Sequence, residues 1–179
     1  MLLQFYKSSK TIKGCAAGFS FNDKDGCLFI SLIKQTGYDE SKRLGTFSDG
    51  EQIVVKFSVT EIGALLDTLD SNKEYSTFHK AKKGNTSIKF APYFVGEPRE
   101  QKGFGLSIGK LDENNKVAST FLMPFNSAEA KVIRTYLDFV LRQIFHVGHL
   151  EQKQKYTASL KPQLKTVAKT VEKNSDIDD

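Results

Sequence analysis

An order of segments that occurs twice constrains this chain more than any other feature of its sequence. Residues 12–70 read as several β-segments followed by a helix, and residues 74–145 repeat that order. The first helix opens Ser58-Val-Thr-Glu61 and the second opens Asn126-Ser-Ala-Glu129. Both fit the capping box, in which a small polar side chain and a carboxylate three positions later satisfy each other's free backbone N–H groups. Each box follows a β-like run, at 52–57 and at 116–124. The pattern predicts an α+β fold of two ββββα repeats, and such a duplication leaves only a short list of functions.

Within the first half, 13–22 predicts a strand with Cys15, Ala17, Phe19 and Phe21 on one face. Gly14, Ala16, Gly18 and Ser20 take the other face, because side chains alternate along a strand. A turn at 22–26 leads to a strand at 27–35, apolar enough to be covered on both faces. Residues 38–47 predict a short or edge strand, and Asp49-Gly50 turns the chain into 52–57. Helix one, over 59–69, carries Ile62, Leu65, Leu66 and Leu69 in one stripe. The second half predicts strands at 75–81, 87–93, 104–111 and 116–123, then a helix over 127–145. That helix is the longer of the two, so its end should pack outside its own half. From 149 onward the chain is rich in Lys, Gln and Thr and closes Asp176-Ile-Asp-Asp179. This predicts one core domain over 1–148 and a flexible tail over 149–179 with an acidic end.

The chain's 179 residues, 39% hydrophobic and 26% charged, suit such a domain plus tail. A net charge of +5 favours a polyanionic partner without requiring one. No apolar signal core opens the sequence, so an intracellular, reduced setting is expected, with Cys15 and Cys27 serving as small apolar residues. Two cysteines and three histidines do not make a zinc-finger ligand set, and neither metal nor cofactor is expected. No run is long and apolar enough for a membrane span. His79 reads as a satisfied, partly buried histidine, and the capping box accounts for Ser58 and Glu61. Gly103-Phe-Gly105 leads into a strand rather than a helix, so it is no phosphate loop. With no nucleophile–base arrangement, the expectation is a protein that is not an enzyme.

Lys13-Gly-x-Ala-Ala17 and Phe57-Ser-Val-Thr-Glu-Ile-Gly63 are followed by Phe78-His79 and Ile88-Lys-Phe-Ala-Pro92. Gly103-Phe-Gly-Leu-Ser107 and a helix from Glu129 to Phe139-Val-Leu141 complete a collinear set. In these residues the chain resembles the Whirly group of single-stranded DNA-binding proteins. That group shares its fold with the positive-cofactor coactivators, the Pur-alpha proteins and the mitochondrial guide-RNA-binding proteins. The resemblance covers about residues 12–148. It implies two four-stranded antiparallel sheets packed crosswise, with helices clamping them and joining subunits into a dimer or tetramer. It also implies single strands running over strand edges and the surfaces between the sheets. Plant members carry a lysine where this chain has Cys15, in a motif tied to higher assembly, and they have tryptophans that this chain lacks. No organelle targeting sequence is read before Lys13, so a bacterial, viral or kinetoplastid relative is expected, working in cytoplasm or nucleoid, or in host cytoplasm if viral.

Strand binding needs cations for phosphates and ring faces for bases. The candidate cations are Lys13, Lys34, Lys42, Arg43, Lys80, Lys82, Lys83, Lys89, Arg99, Lys102 and Lys110. The candidate rings are Tyr38, Tyr93, Phe94 and Phe104. The expected partner is single-stranded DNA, with RNA as the rival and a protein-interaction scaffold as a second alternative. The acidic end is expected either to keep the chain soluble or to compete with DNA and recruit partner proteins.

Overall fold

The computed structural model describes residues 2–80, 84–112, 114 and 116–175. The first half runs β1 (Leu2–Lys7), β2 (Cys15–Asn22), β3 (Cys27–Lys34), β4 (Gly37–Asp39), β5 (Leu44–Thr46), β6 (Gln52–Phe57) and α1 (Val59–Ser71). The second runs β7 (Tyr75–His79), β8 (Asn85–Val95), β9 (Glu100–Leu111), β10 (Val117–Asn126) and α2 (Ser127–Ser175). One antiparallel sheet has the order β1-β2-β3-β6 and the other β10-β9-β8-β7. Each half is thus a four-stranded meander closed by a helix, as the repeat predicts.

Both capping boxes form. The Ser58 N–H donates to Glu61 Oε2 at 2.8 Å, and the Glu61 N–H donates back to Ser58 Oγ at 3.4 Å. At α2 the Asn126 N–H donates to Glu129 Oε2 at 2.8 Å and the Glu129 N–H to Asn126 Oδ1 at 2.9 Å. α1 ends on Asn72, whose left-handed backbone directs its N–H to the Thr68 carbonyl.

Three expectations are corrected. The first repeat begins at Leu2, so the strand read as its first, at 13–22, is its second. In β1 Leu3 and Phe5 pack on the core while Leu2, Gln4 and Tyr6 face outward. Residues 38–47 supply no strand to the sheet. They fold back as the β4–β5 hairpin, a separate two-stranded piece whose side chains lie too near the surface to join the core. Helix two does not stop near 145: its backbone is helical from Ser127 to Ser175. Lys, Gln, Glu, Ala and Leu are good helix formers, which favours a helical backbone beyond 145. The acidic close, 176–179, lies outside the described residues.

Alternation sets the core. Phe19, Ile30 and Val55 from the first sheet meet Ile108, Phe121 and Met123 from the second. Ile62 and Leu65 of α1 and Ile133, Leu137 and Val140 of α2 close over them. Twenty-odd such side chains at about 1.5–3 kcal/mol each make this core the main source of stability. Cys15 and Cys27 sit at opposite ends of the β2–β3 hairpin, both buried and free, and burial pushes the Cys15 thiol up to about 11. Among the described residues, no helix is long and apolar enough to cross a membrane.

Candidate nucleic-acid interface

The register assigns each sheet an outer face. On the first sheet Tyr6, Ala16, Ile33 and Gln52 form one row, Gln4, Gly18, Ser31 and Val54 the next, and Leu2, Ser20, Phe29 and Lys56 a third. On the second, Phe78, Ser87, Gly109 and Thr120 form a row, and Ser76, Lys89, Ser107 and Leu122 another, with Ala91, Gly105 and Pro124 beyond. The central strands place glycine, alanine and serine at most of these positions, with Ile33 and Phe29 as exceptions on the first face and Lys89 on the second. Rings stand at the margins of both faces: Tyr6 is 58% exposed and Phe78 42% exposed. Tyr93 lies on the second face against Gly105, where an added Cβ would come within 3.7 Å of the ring. Small side chains and lateral rings leave room for flat groups to lie on the sheet.

Where the sheets meet, cations gather. Lys34, at the end of β3, and Lys110, in β9, both reach Glu51, at 2.8 and 3.1 Å. Their ammonium groups also lie over the Phe121 ring, 4.8 and 5.2 Å from its centre. Ser119 donates to Glu51 at 2.9 Å and accepts from Lys34 at 2.6 Å. Hydrogen bonds from Lys34, then Ser119, then Lys110 hold the Glu51 carboxyl down at about 2. The backbone places Glu51 there, since the Lys34 N–H donates to the Glu51 carbonyl at 2.9 Å. Gly50 permits the approach, because a Cβ on it would lie 2.1 Å from the Lys34 carbonyl oxygen.

Beside this cluster a cleft of about 330 Å³ is lined by Ile12, Lys13, Cys15, Lys34, Phe121 and Leu122, among others. Gln35 fixes its wall. This side chain, 5% exposed, accepts from the N–H groups of Ser9 and Gly14 and donates to the carbonyls of Ser9 and Gly37.

Of the sequence candidates, Lys13, Lys34 and Lys110 meet at this junction, and Lys89 and Tyr93 lie on the outer face of the second sheet. Lys89 is paired with Glu74 at 2.6 Å. Phe94, Arg99 and Lys102 cluster at the β8–β9 turn, with Arg99 over the Phe94 ring at 5.6 Å and Lys102 paired to Glu100. Tyr38, Lys42 and Arg43 belong to the β4–β5 hairpin, where Lys42 faces Asp39 at 3.7 Å. Lys80 is exposed just after β7. Lys82 and Lys83 lie outside the described residues. Phe104 is corrected: at 7% exposure its ring stacks on Phe90 in the core and does not stand open on a sheet face.

Sequence reasoning missed Tyr6, Phe78, Gln35, Glu51, Ser119 and Phe121. The alternation in Leu2–Lys7 was the available signal for Tyr6. Glu51 and Ser119 carried none, since only the meeting of the two sheets brings them together. His79 is half-buried and bonded to Glu61, as expected. Burial alone would raise the Glu61 carboxyl, but the Ser58 N–H, His79 and the Ser58 hydroxyl hold it below the usual range. Among the described residues, no group of His, Cys, Asp and Glu could hold a metal ion.

Paired meanders with open, ring-edged faces and lysines at their junction offer the cations and ring faces that binding an unpaired nucleic-acid strand needs. The chain belongs to the Whirly family: the family described as Whirly transcription factor matches residues 3–136. Its fold is similar to that of the plant transcriptional regulator PBF-2, with a TM-score of 0.59 at 17% identity, covering 84% of this chain and 93% of that one. It is similar to WHY1 from Arabidopsis thaliana, with a TM-score of 0.59 at 19% identity, covering 89% and 92%. A guide-RNA-binding protein complex bound to a gRNA gives a TM-score of 0.60 at 14% identity, covering 79% and 89%. No curated protein matches the chain.

Proposed function

We propose that this Whirly protein binds single-stranded DNA with little base preference, in transcription, replication or recombination, and catalyses no reaction. Bases rest on the rings of the outer sheet faces, and phosphates lie along the junction lysines and the cations of the β8–β9 turn. The observation that carries this reading is the pair of exposed rings, Tyr6 and Phe78, at the margins of sheet faces rich in glycine, alanine and serine. An exposed ring on such a face presents both a stacking surface and space for a base, which supports about 1–3 kcal/mol per stacked base.

RNA is the second reading, favoured by the likeness to the gRNA-bound complex. Competition among single-stranded DNA, single-stranded RNA and duplex of one sequence separates the two. A marked RNA preference promotes the second reading, and binding to none of the three at moderate salt refutes both.

The same reading includes a homo-oligomer joined through α2. Val132 and Phe139 are exposed and line, with Leu3 and Tyr136, an apolar groove of about 450 Å³. Sedimentation of Phe139→Asp should give a smaller species than the parent chain, and an identical species would remove the helix from the interface.

A further inference from the structure

We infer that Lys34, Lys110 and Ser119 form a subsite for one backbone phosphate of a bound strand, and that Glu51 occupies it when the strand is absent. The inference rests on the strand-binding reading above and adds to it a named phosphate site and its internal competitor.

Two ammonium groups and a hydroxyl converging on one anion make a phosphate-binding set, since a phosphate offers oxygens in several directions to separate donors. Here the anion is the chain's own carboxylate, with Oε2 taking Lys34 and Ser119 and Oε1 taking Lys110. The donors come from both sheets: Lys34 from the first, Lys110 and Ser119 from the second. Phe121 lies behind the two ammonium groups and holds them through ring–cation contacts that do not involve Glu51. Glu51 itself precedes β6, and its carboxylate is about 40% exposed, so it can swing into solvent. The cleft shares Lys34 and Phe121 with the cluster and adds Lys13 at its rim, giving the attached sugar or base a place beside the phosphate.

A staple joining the two sheets is the competing account of the same contacts. The two differ in sign. Removal of Glu51 costs stability under either account, but a staple leaves binding unchanged or weaker. A competitor, once removed, frees the donors for the strand.

The test measures affinity for a mixed-sequence single-stranded DNA oligonucleotide with the full chain and Glu51→Gln, at fixed salt. Glu51→Gln should bind roughly three- to ten-fold tighter, the worth of one or two part-exposed ion pairs. Glu51→Ala, which cannot re-pair through an amide, should do the same. In a Lys34→Met/Lys110→Met background, which keeps the packing on Phe121, Glu51→Gln should bring no gain. Equal or weaker binding by both Glu51 variants, or the same gain without the lysines, overturns the inference and leaves the strand-binding reading standing. Failure of both parent chain and Glu51→Gln to bind any strand overturns that reading and the subsite with it.

Discussion

Gln35 is the side chain whose removal most directly tests how the cleft is built. Its amide makes four hydrogen bonds, at 2.8, 3.2, 2.9 and 2.7 Å, to Ser9 N, Gly14 N, Ser9 O and Gly37 O. It thereby ties the β1–β2 loop and the β4–β5 hairpin to the end of β3. Gly14 must be glycine for this to work, because a Cβ there would lie 2.1 Å from Gln35 Oε1. Each such bond contributes about 0.5–1.5 kcal/mol net, so four sum to roughly 2–6 kcal/mol. Solvent reaches some of the freed loop groups, which places the expected cost of Gln35→Ala near about 3 kcal/mol. At about 2–4 °C per kcal/mol for a chain of this size, the melting point should fall by roughly 6–12 °C. Urea unfolding should show the same loss as a lower midpoint with unchanged slope. Gln35→Met, which restores volume but not donors, should cost as much. A loss below about 1 kcal/mol, or a Met variant as stable as the parent, would show that packing and not the amide holds the wall.

Other predictions separate binding from folding. Tyr6→Ala and Phe78→Ala should each weaken single-stranded DNA binding by about 1–3 kcal/mol with little change in urea midpoint. Phe104→Ala should instead lose about 3–5 kcal/mol of stability, the cost of a core cavity. Acid should destabilise the fold through its paired carboxylates. Glu51, at about 2 when folded, regains its ordinary 4.5 on unfolding, so the unfolded chain binds more protons between those values and stability falls as pH drops from about 5 toward 2. Asp70, held low by Arg134, acts in the same direction. The gap in urea midpoint between parent and Glu51→Gln should therefore close as pH falls, and a constant gap would refute the assignment. Removing 174–179 should tighten binding at low salt if the acidic close competes with DNA, and unchanged affinity would leave it a solubilising end.

What was legible in the sequence is what local rules govern. The capping boxes at Ser58 and Asn126, the alternation of Cys15 to Phe21 and the stripe of Ile62 and Leu65 follow from spacing alone, and each is observed. The hairpin at β4–β5 was misread because Tyr38–Thr46 alternates weakly, and strand pairing depends on a partner that no local pattern names. β1 escaped notice since half its apolar residues, Leu2 and Tyr6, point to solvent, which blurs any core signal. The candidate cations were chosen by type and position. That finds Lys34 and Lys110, but it cannot foresee Glu51 between them, 59 residues from Lys110 in sequence.

The two halves share a plan but not a task. The first sheet is interrupted by the β4–β5 hairpin, and its outer face is framed by Tyr6, Phe29 and Val54 with Lys56 as the cation of those rows. The second has the longer strands β8 and β9, a bulge at Tyr93/Phe94, and a turn that carries Arg99 over Phe94. A bulge twists a strand end away from its neighbour and re-aims its side chains. Here it lies just before the turn at which Arg99 sits over the Phe94 ring. A strand crossing the molecule would meet mainly apolar contact on the first sheet, paired cations at the junction, and a mixed ring-and-guanidinium clamp on the second. Binding weighted in this way has a definite signature: the salt dependence should reside in the junction and the second sheet, while Tyr6→Ala lowers affinity equally at all salt concentrations.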